Sequence, residues 1–147
     1  MRTDKAAMYA HTPNAAGQWH LLQDHLERVA ELAAKHAEVF GAAELAYWAG
    51  AWHDVGKASQ AFQRYLQLCA REPDRRFATV DHKGAGTLQA IEVADALAFL
   101  IHGHHGGLPD YGALRSRINE LKDTRSARAA LAREALQRAA AAGVVPA

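Results

Sequence analysis

One cysteine, Cys69, is all this chain has. It cannot form an internal disulfide, and it cannot supply a four-cysteine structural zinc site. A reducing compartment, the cytoplasm, is the expectation. Also lacking is any apolar run near the ~20 residues that cross a bilayer. The stretch MRTDKAAMYAHTPNAAG does not contain the roughly 7–15-residue apolar core of a signal peptide. Neither a membrane partner nor export is therefore expected. A strong charge imbalance is missing too: the net charge is +1, so the whole molecule is not a polycation. The charge is uneven along the chain, however. Residues 1–112 carry 10 Lys/Arg against 13 Asp/Glu, and residues 113–147 carry 7 against 3. That basic tail could meet a phosphate backbone, and a solvated helix face explains it equally well.

Half of the 147 residues are hydrophobic and 22% are charged. That is the composition of a folded domain large enough for one core, and a single domain over 1–147 is expected. Alternating strands and Asn-Gly hairpin signals do not stand out. Helical spacing does. Leu22, Leu26, Val29 and Ala33 lie on one face of a helix over about residues 18–40, with Gly41 as its stop. Leu45, Trp48, Ala49 and Trp52 form the next stripe, which Gly56 can end. Ser59 is a plausible N-cap for a third helix carrying Phe62, Tyr65, Leu66 and Cys69. A loop, REPDRRFATVDH, follows, and one or two helices run from about 83 to 102. Two more cover roughly 111–122 and 126–142. The fold class predicted is all-α: a compact helical bundle with a site between its helices.

What the chain has in plenty is histidine, nine in all. His53 lies at the edge of the buried stripe of its helix, followed directly by Asp54. Neighbours on a helix do not face each other, so the two are read not as a hydrogen-bonded pair but as converging on an ion beyond the helix end. A carboxylate has two oxygens and can bridge two metals, whereas a neutral imidazole gives one lone pair to one metal. The ordinary alternative is a buried histidine bonded to a backbone carbonyl, beside an Asp54–Lys57 salt bridge. Other histidines tilt the balance. His104 and His105 stand side by side in GHHGG, where glycines let both rings point into one cavity. His82 follows the loop, and His25 borders the core stripe of the first helix. Imidazoles with a shared carboxylate suit one or two divalent transition ions, Mn, Fe, Co, Ni or Zn, rather than an all-oxygen calcium cage. His36 is expected to be solvated, and His11 and His20 to cap or decorate the start of the first helix. His102 is the nearest rival to His104.

The segments DHLERVA, AWHDVGKASQAFQRYL, VDHKGAG and IHGHHGGLPD, in that order, resemble the HD nuclease domain of the CRISPR-associated nuclease-helicase of type I interference systems. That domain falls within the wider superfamily of HD-domain metal-dependent phosphohydrolases. The likeness covers about residues 9–112. It implies an HD-type helical fold, one or two transition ions and cleavage of single-stranded DNA in antiviral defence. Its partners would be a helicase domain or subunit and the CRISPR RNA-guided surveillance complex. By position, His25, His53 and Asp54 match ligands of one metal; Asp54 as a bridge, with His82, His104 and His105, matches those of the second. Asp54 and Lys57 would be the catalytic pair, Lys57 matching a lysine near the scissile phosphate. Arg75, Arg76 and Lys83, around the loop before His82, are candidate DNA contacts, joined by Arg64 and Arg71. Tyr65, Phe77 and Tyr111 are possible stacking platforms.

Members of that family carry a further aspartate ligand well after the double histidine. Residues 113–147 offer no match, Asp123 lying in the exposed-looking ELKDTRSAR. The first site is then expected to be incomplete, filled by water or completed beyond residue 147, the chain stopping short of the family domain's end. GKAS at 56–59 is not a P-loop, so a helicase would lie elsewhere. Two other functions remain open: an HD phosphohydrolase acting on nucleotides or nucleoside monophosphates, and a helical interaction module that merely retains metal ligands.

Overall fold

The computed structural model describes residues 7–145. Seven α-helices carry the architecture: α1 Leu22–Ala37, α2 Ala43–Trp52, α3 Gln60–Arg71, α4 Lys83–Ile91, α5 Asp95–Gly103, α6 Tyr111–Lys122 and α7 Ala127–Ala142. The helical bundle expected from apolar spacing is the fold observed. Leu22, Leu26 and Ala30 recur every fourth residue and form the buried stripe of α1. Gly41 stops the chain with a left-handed φ of 71°. Ser59 caps α3 as anticipated, its side chain accepting from the Phe62 N–H at 3.1 Å. Asp110 does the same for α6, accepting from the Ala113 N–H at 2.8 Å.

One element departs from the all-helical expectation. A short antiparallel pair, β1 Tyr9–His11 and β2 His20–Leu21, precedes α1. Its connection is an Asx-type turn, in which the Asn14 carboxamide oxygen accepts from the N–H groups of Ala16 and Gln18, each at 3.0 Å. Gly17 supplies a φ of 75°. Strands of three and two residues cannot display an alternating pattern, which is why periodicity missed them. The consequence is that α1 begins at Leu22, not near residue 18.

Two clusters make the core. One gathers Leu22, Leu26, Val55 and Leu121 with the alanines of α7; the other gathers Trp52, Leu97, Ile101 and Leu114. Ala129, Ala132, Ala135 and Ala139 are buried, so the basic C-terminal stretch is a packed helix whose arginines are half-buried along its flanks. Arg138 Nε reaches the Ala58 carbonyl at 2.8 Å and ties α7 to the turn before α3. Among the described residues, no helix is long and apolar enough to cross a membrane.

Two glycines allow the backbone contacts that set the site. A Cβ at Gly56 would stand 2.0 Å from the His82 carbonyl oxygen, and one at Gly86 would stand 2.2 Å from the Trp52 carbonyl oxygen. The 3₁₀ turn Val55–Ala58, the start of α4 and the end of α2 are thereby locked together. Gly56→Ala must push backbone against backbone. It is expected to destabilise by roughly 3 kcal/mol, the upper part of the overpacking range. Urea unfolding at unchanged m-value reads this directly; a midpoint equal to that of the unmodified protein would refute the close-packing account.

Candidate metal centre

The end of α2 creates the site. His53 is its C-cap, still helical at φ −53°, ψ −40°, while Asp54 has left the helix at φ −115°, ψ 12°. That single change of backbone direction lets adjacent side chains face each other, and His53 Nε2 lies 3.2 Å from Asp54 Oδ2. The expectation that these neighbours would not come within hydrogen-bond range is corrected on this ground: it assumed a continuous helix.

Asp54 is 3% exposed and sits at the middle of a ring of imidazoles. Its two oxygens divide the histidines between them. Oδ2 faces His25 Nε2 at 3.2 Å and His53 Nε2 at 3.2 Å. Oδ1 faces His82 Nε2 at 3.5 Å, His104 Nε2 at 3.3 Å and His105 Nε2 at 3.9 Å. Four segments far apart in sequence thus converge: α1 brings His25, the end of α2 His53 and Asp54, the start of α4 His82, and the end of α5 the double histidine. After that double histidine the chain turns through Gly107, whose φ is 83°.

The rings are oriented from behind. His53 Nδ1 donates to the Gly50 carbonyl at 2.7 Å. His104 Nδ1 likewise donates to the Ile101 carbonyl, three residues back. Such backing bonds fix the tautomer and leave Nε2 as a lone pair aimed inward. Burial alone would raise the Asp54 carboxyl, but the surrounding imidazoles of His104, His25 and His53 outweigh it and hold Asp54 below the usual carboxylate range, with the Lys57 ammonium in direct contact at 2.8 Å. Burial is also the main cause that lowers His82 and His105, opposed by Asp54, so both favour the neutral form. His82 and His105 in the neutral form, beside the Asp54 carboxylate, offer lone pairs toward the same space.

A divalent ion fits that set. His82 Nε2 is buried and makes no hydrogen bond, although it is aimed at Asp54. Unpaired polar atoms of this kind are rare in cores and need a reason. His25 Nε2 and His53 Nε2 face each other at 3.3 Å, a spacing that a bound cation or a shared proton satisfies. Ligand atoms from Asp54, His82, His104 and His105 lie within 4.8 Å of one another, as do those from His25, His53 and Asp54. The six residues singled out as ligands in the sequence therefore stand together.

Other candidates fall differently. Lys57 is buried, and its ammonium pairs with Asp54 Oδ2 at 2.8 Å and donates to the Ala10 carbonyl at 3.1 Å. Lys83 lines a groove of about 700 Å³ beside His82 and His105. Arg75 is exposed, pairs with Glu72 at 3.0 Å and covers the Phe77 ring at 5.0 Å; Arg76 is exposed. His102 stands apart from the ring and is lowered by burial together with Lys83 and Arg117. His36 is exposed. Asp123 pairs with Arg125 near the surface at 3.2 Å. Among the described residues, the only carboxylate in the candidate metal clusters is Asp54.

Sequence reasoning missed two features. Arg128, on α7, walls the same groove as Lys83 and holds Asp81 at 3.1 Å; nothing local to Arg128 signals that. His11 and His20, expected to cap or decorate the start of the first helix, are exposed but also lie against His25, with ring centroids at 5.0 and 5.5 Å. The Asn14 to Gly17 turn between them was the available signal.

A family model described as "Cas3, HD domain" matches residues 9–146, nearly the whole chain. No curated protein matches it.

Proposed function

The chain belongs to the Cas3 HD-domain family and is accordingly a metal-dependent hydrolase of the HD type; from that premise we propose that it hydrolyses phosphodiester bonds of single-stranded DNA during CRISPR interference. The observation that carries this reading is the division of the Asp54 oxygens between two histidine sets. Divalent ions in such a centre acidify water and offset charge that builds on a phosphodiester. Of the chain's own groups, Asp54 would be shared, His25 and His53 would hold an ion on one side, and His82, His104 and His105 would hold one on the other. Lys57 neutralises and orients Asp54 from beneath, 2.8 Å away.

Access supports a polymer rather than an enclosed nucleotide. His105 has a side chain 52% exposed, and the groove beside it is open and flanked by Lys83 and Arg128. These two cations, with Arg75 and Arg76 on the preceding loop, suit phosphates of an extended strand. Each phosphate contact to a single strand contributes a slope of about −0.7 in log K against log salt. Tyr111, 58% exposed, is the best placed of the stacking candidates by exposure. A helicase domain or subunit would feed the strand, and the surveillance complex would select it. This work belongs beside nucleic acid in the cytoplasm, where Cys69 stays reduced.

The test is a substrate panel. Protein loaded with Mn²⁺, Ni²⁺ or Co²⁺ is offered linear and circular single-stranded DNA, duplex DNA and nucleoside monophosphates. Cleavage of the single strands that weakens with added salt is expected. Phosphate release from monophosphates with DNA left intact would replace this reading with a nucleotide phosphohydrolase.

A further inference from the structure

The histidines that precede α1 form a group of their own. In the β1–β2 ladder His11 and His20 are direct partners. Cross-strand partners project on one face with Cβ atoms about 4.5–5.5 Å apart, and the two rings stack at 6.0 Å with 29° between planes. His25, one turn into α1, stands edge-on to both, at interplanar angles of 89° and 86°. One ring nitrogen from each of the three lies within 4.8 Å of the other two. Simple aromatic packing would not require the nitrogen-bearing edges to converge.

We propose that His11, His20 and His25 form a second seat for a zinc-, nickel- or cobalt-class divalent ion, sharing His25 with the Asp54 centre. The donor set decides the ion class. Three imidazoles without a carboxylate favour these borderline metals over Mn²⁺ or Mg²⁺, and three protein ligands with an open fourth position are a familiar zinc arrangement. Sharing decides the behaviour. A neutral imidazole has one lone pair, so His25 serves one ion at a time. An ion on the hairpin is then two ligand exchanges from the centre, with His25 kept: His53 Nε2 and Asp54 Oδ2, at 3.3 and 3.2 Å from His25 Nε2, take the places of His11 and His20. The hairpin seat is exposed, since His11 and His20 are both on the surface, whereas Asp54 is buried. It therefore receives ions from solvent and passes them inward, and it holds one when the inner seat is impaired.

The experiment uses Asp54→Asn protein, in which the inner seat is weakened, and zinc alone as the probe. Imidazole NMR follows the ring signals, and bound zinc is counted after desalting. The expected result is a joint shift of His11, His20 and His25 on zinc addition, and one bound zinc fewer when His11→Gln and His20→Gln are added. Both glutamines keep the exposed hairpin polar, and circular dichroism verifies the helices. Unmoved His11 and His20 signals, or a zinc count indifferent to the two glutamines, would overturn the proposal. The nuclease reading is not at stake, because the protein tested has already lost the carboxylate that reading depends on.

Discussion

Asp54→Asn is expected to abolish DNA cleavage, by roughly 10³-fold or more, and to cost the centre at least one ion. The scale is that of removing a group that organises charge at the reacting phosphate. The reason is specific to this geometry. Each carboxylate oxygen of Asp54 faces its own histidine set. An amide keeps one acceptor but turns an N–H₂ donor toward the other set, so at least one side loses its anionic ligand. Single-turnover cleavage and metal analysis on the same preparation read both effects. Near-normal cleavage by the variant would remove Asp54 from the chemistry.

Lys57→Met is expected to lower stability by roughly 3–5 kcal/mol, the cost of stripping one partner from a buried ion pair. Lys57 and Asp54 side chains are 6% and 4% exposed, so solvent cannot take over the lost contact. The variant also frees the Ala10 carbonyl and loosens β1, which Gln63 otherwise clamps through bonds to the Tyr9 N–H and carbonyl. At about 2–4 °C per kcal/mol for a domain of this size, the melting temperature of metal-free protein should fall by about 10 °C. Adding Asp54→Asn to Lys57→Met should cost less than the sum of the single changes, because the two partners leave together. Additive losses would mean that the pair is not coupled. A stability loss with cleavage retained would place Lys57 beneath Asp54 as a support. Selective loss of turnover, with the fold intact, would place it at the phosphate.

Much of this could be read from residues alone. Apolar spacing located the helical segments, though it left open whether residues 83–102 held one helix or two, and glycine or capping signals located some ends: Gly41 and Ser59 each sit where a helix stops or starts. The six candidate ligands were legible because histidine beside aspartate, and histidine beside histidine among glycines, are costly to explain as packing. What escaped has physical reasons. The strand pair was too short to show a period of two, so His11 and His20 were placed by proximity to a helix instead of by register. The His53–Asp54 contact depended on the helix ending at Trp52, short of the Gly56 stop that the sequence suggested. Arg128 reaches the groove through tertiary packing of α7, and no local pattern encodes that. The burial of Lys57 follows from β1 lying over it, another product of the unread hairpin.

The most direct measurement is an anomalous difference map from crystals soaked in Mn²⁺. The account predicts density on both sides of the Asp54 carboxylate, one peak within coordinating reach of His25 and His53 and the other of His82, His104 and His105, about 3.5–4 Å apart. A map with no peak near Asp54, from a protein that cleaves DNA under the same conditions, would contradict it.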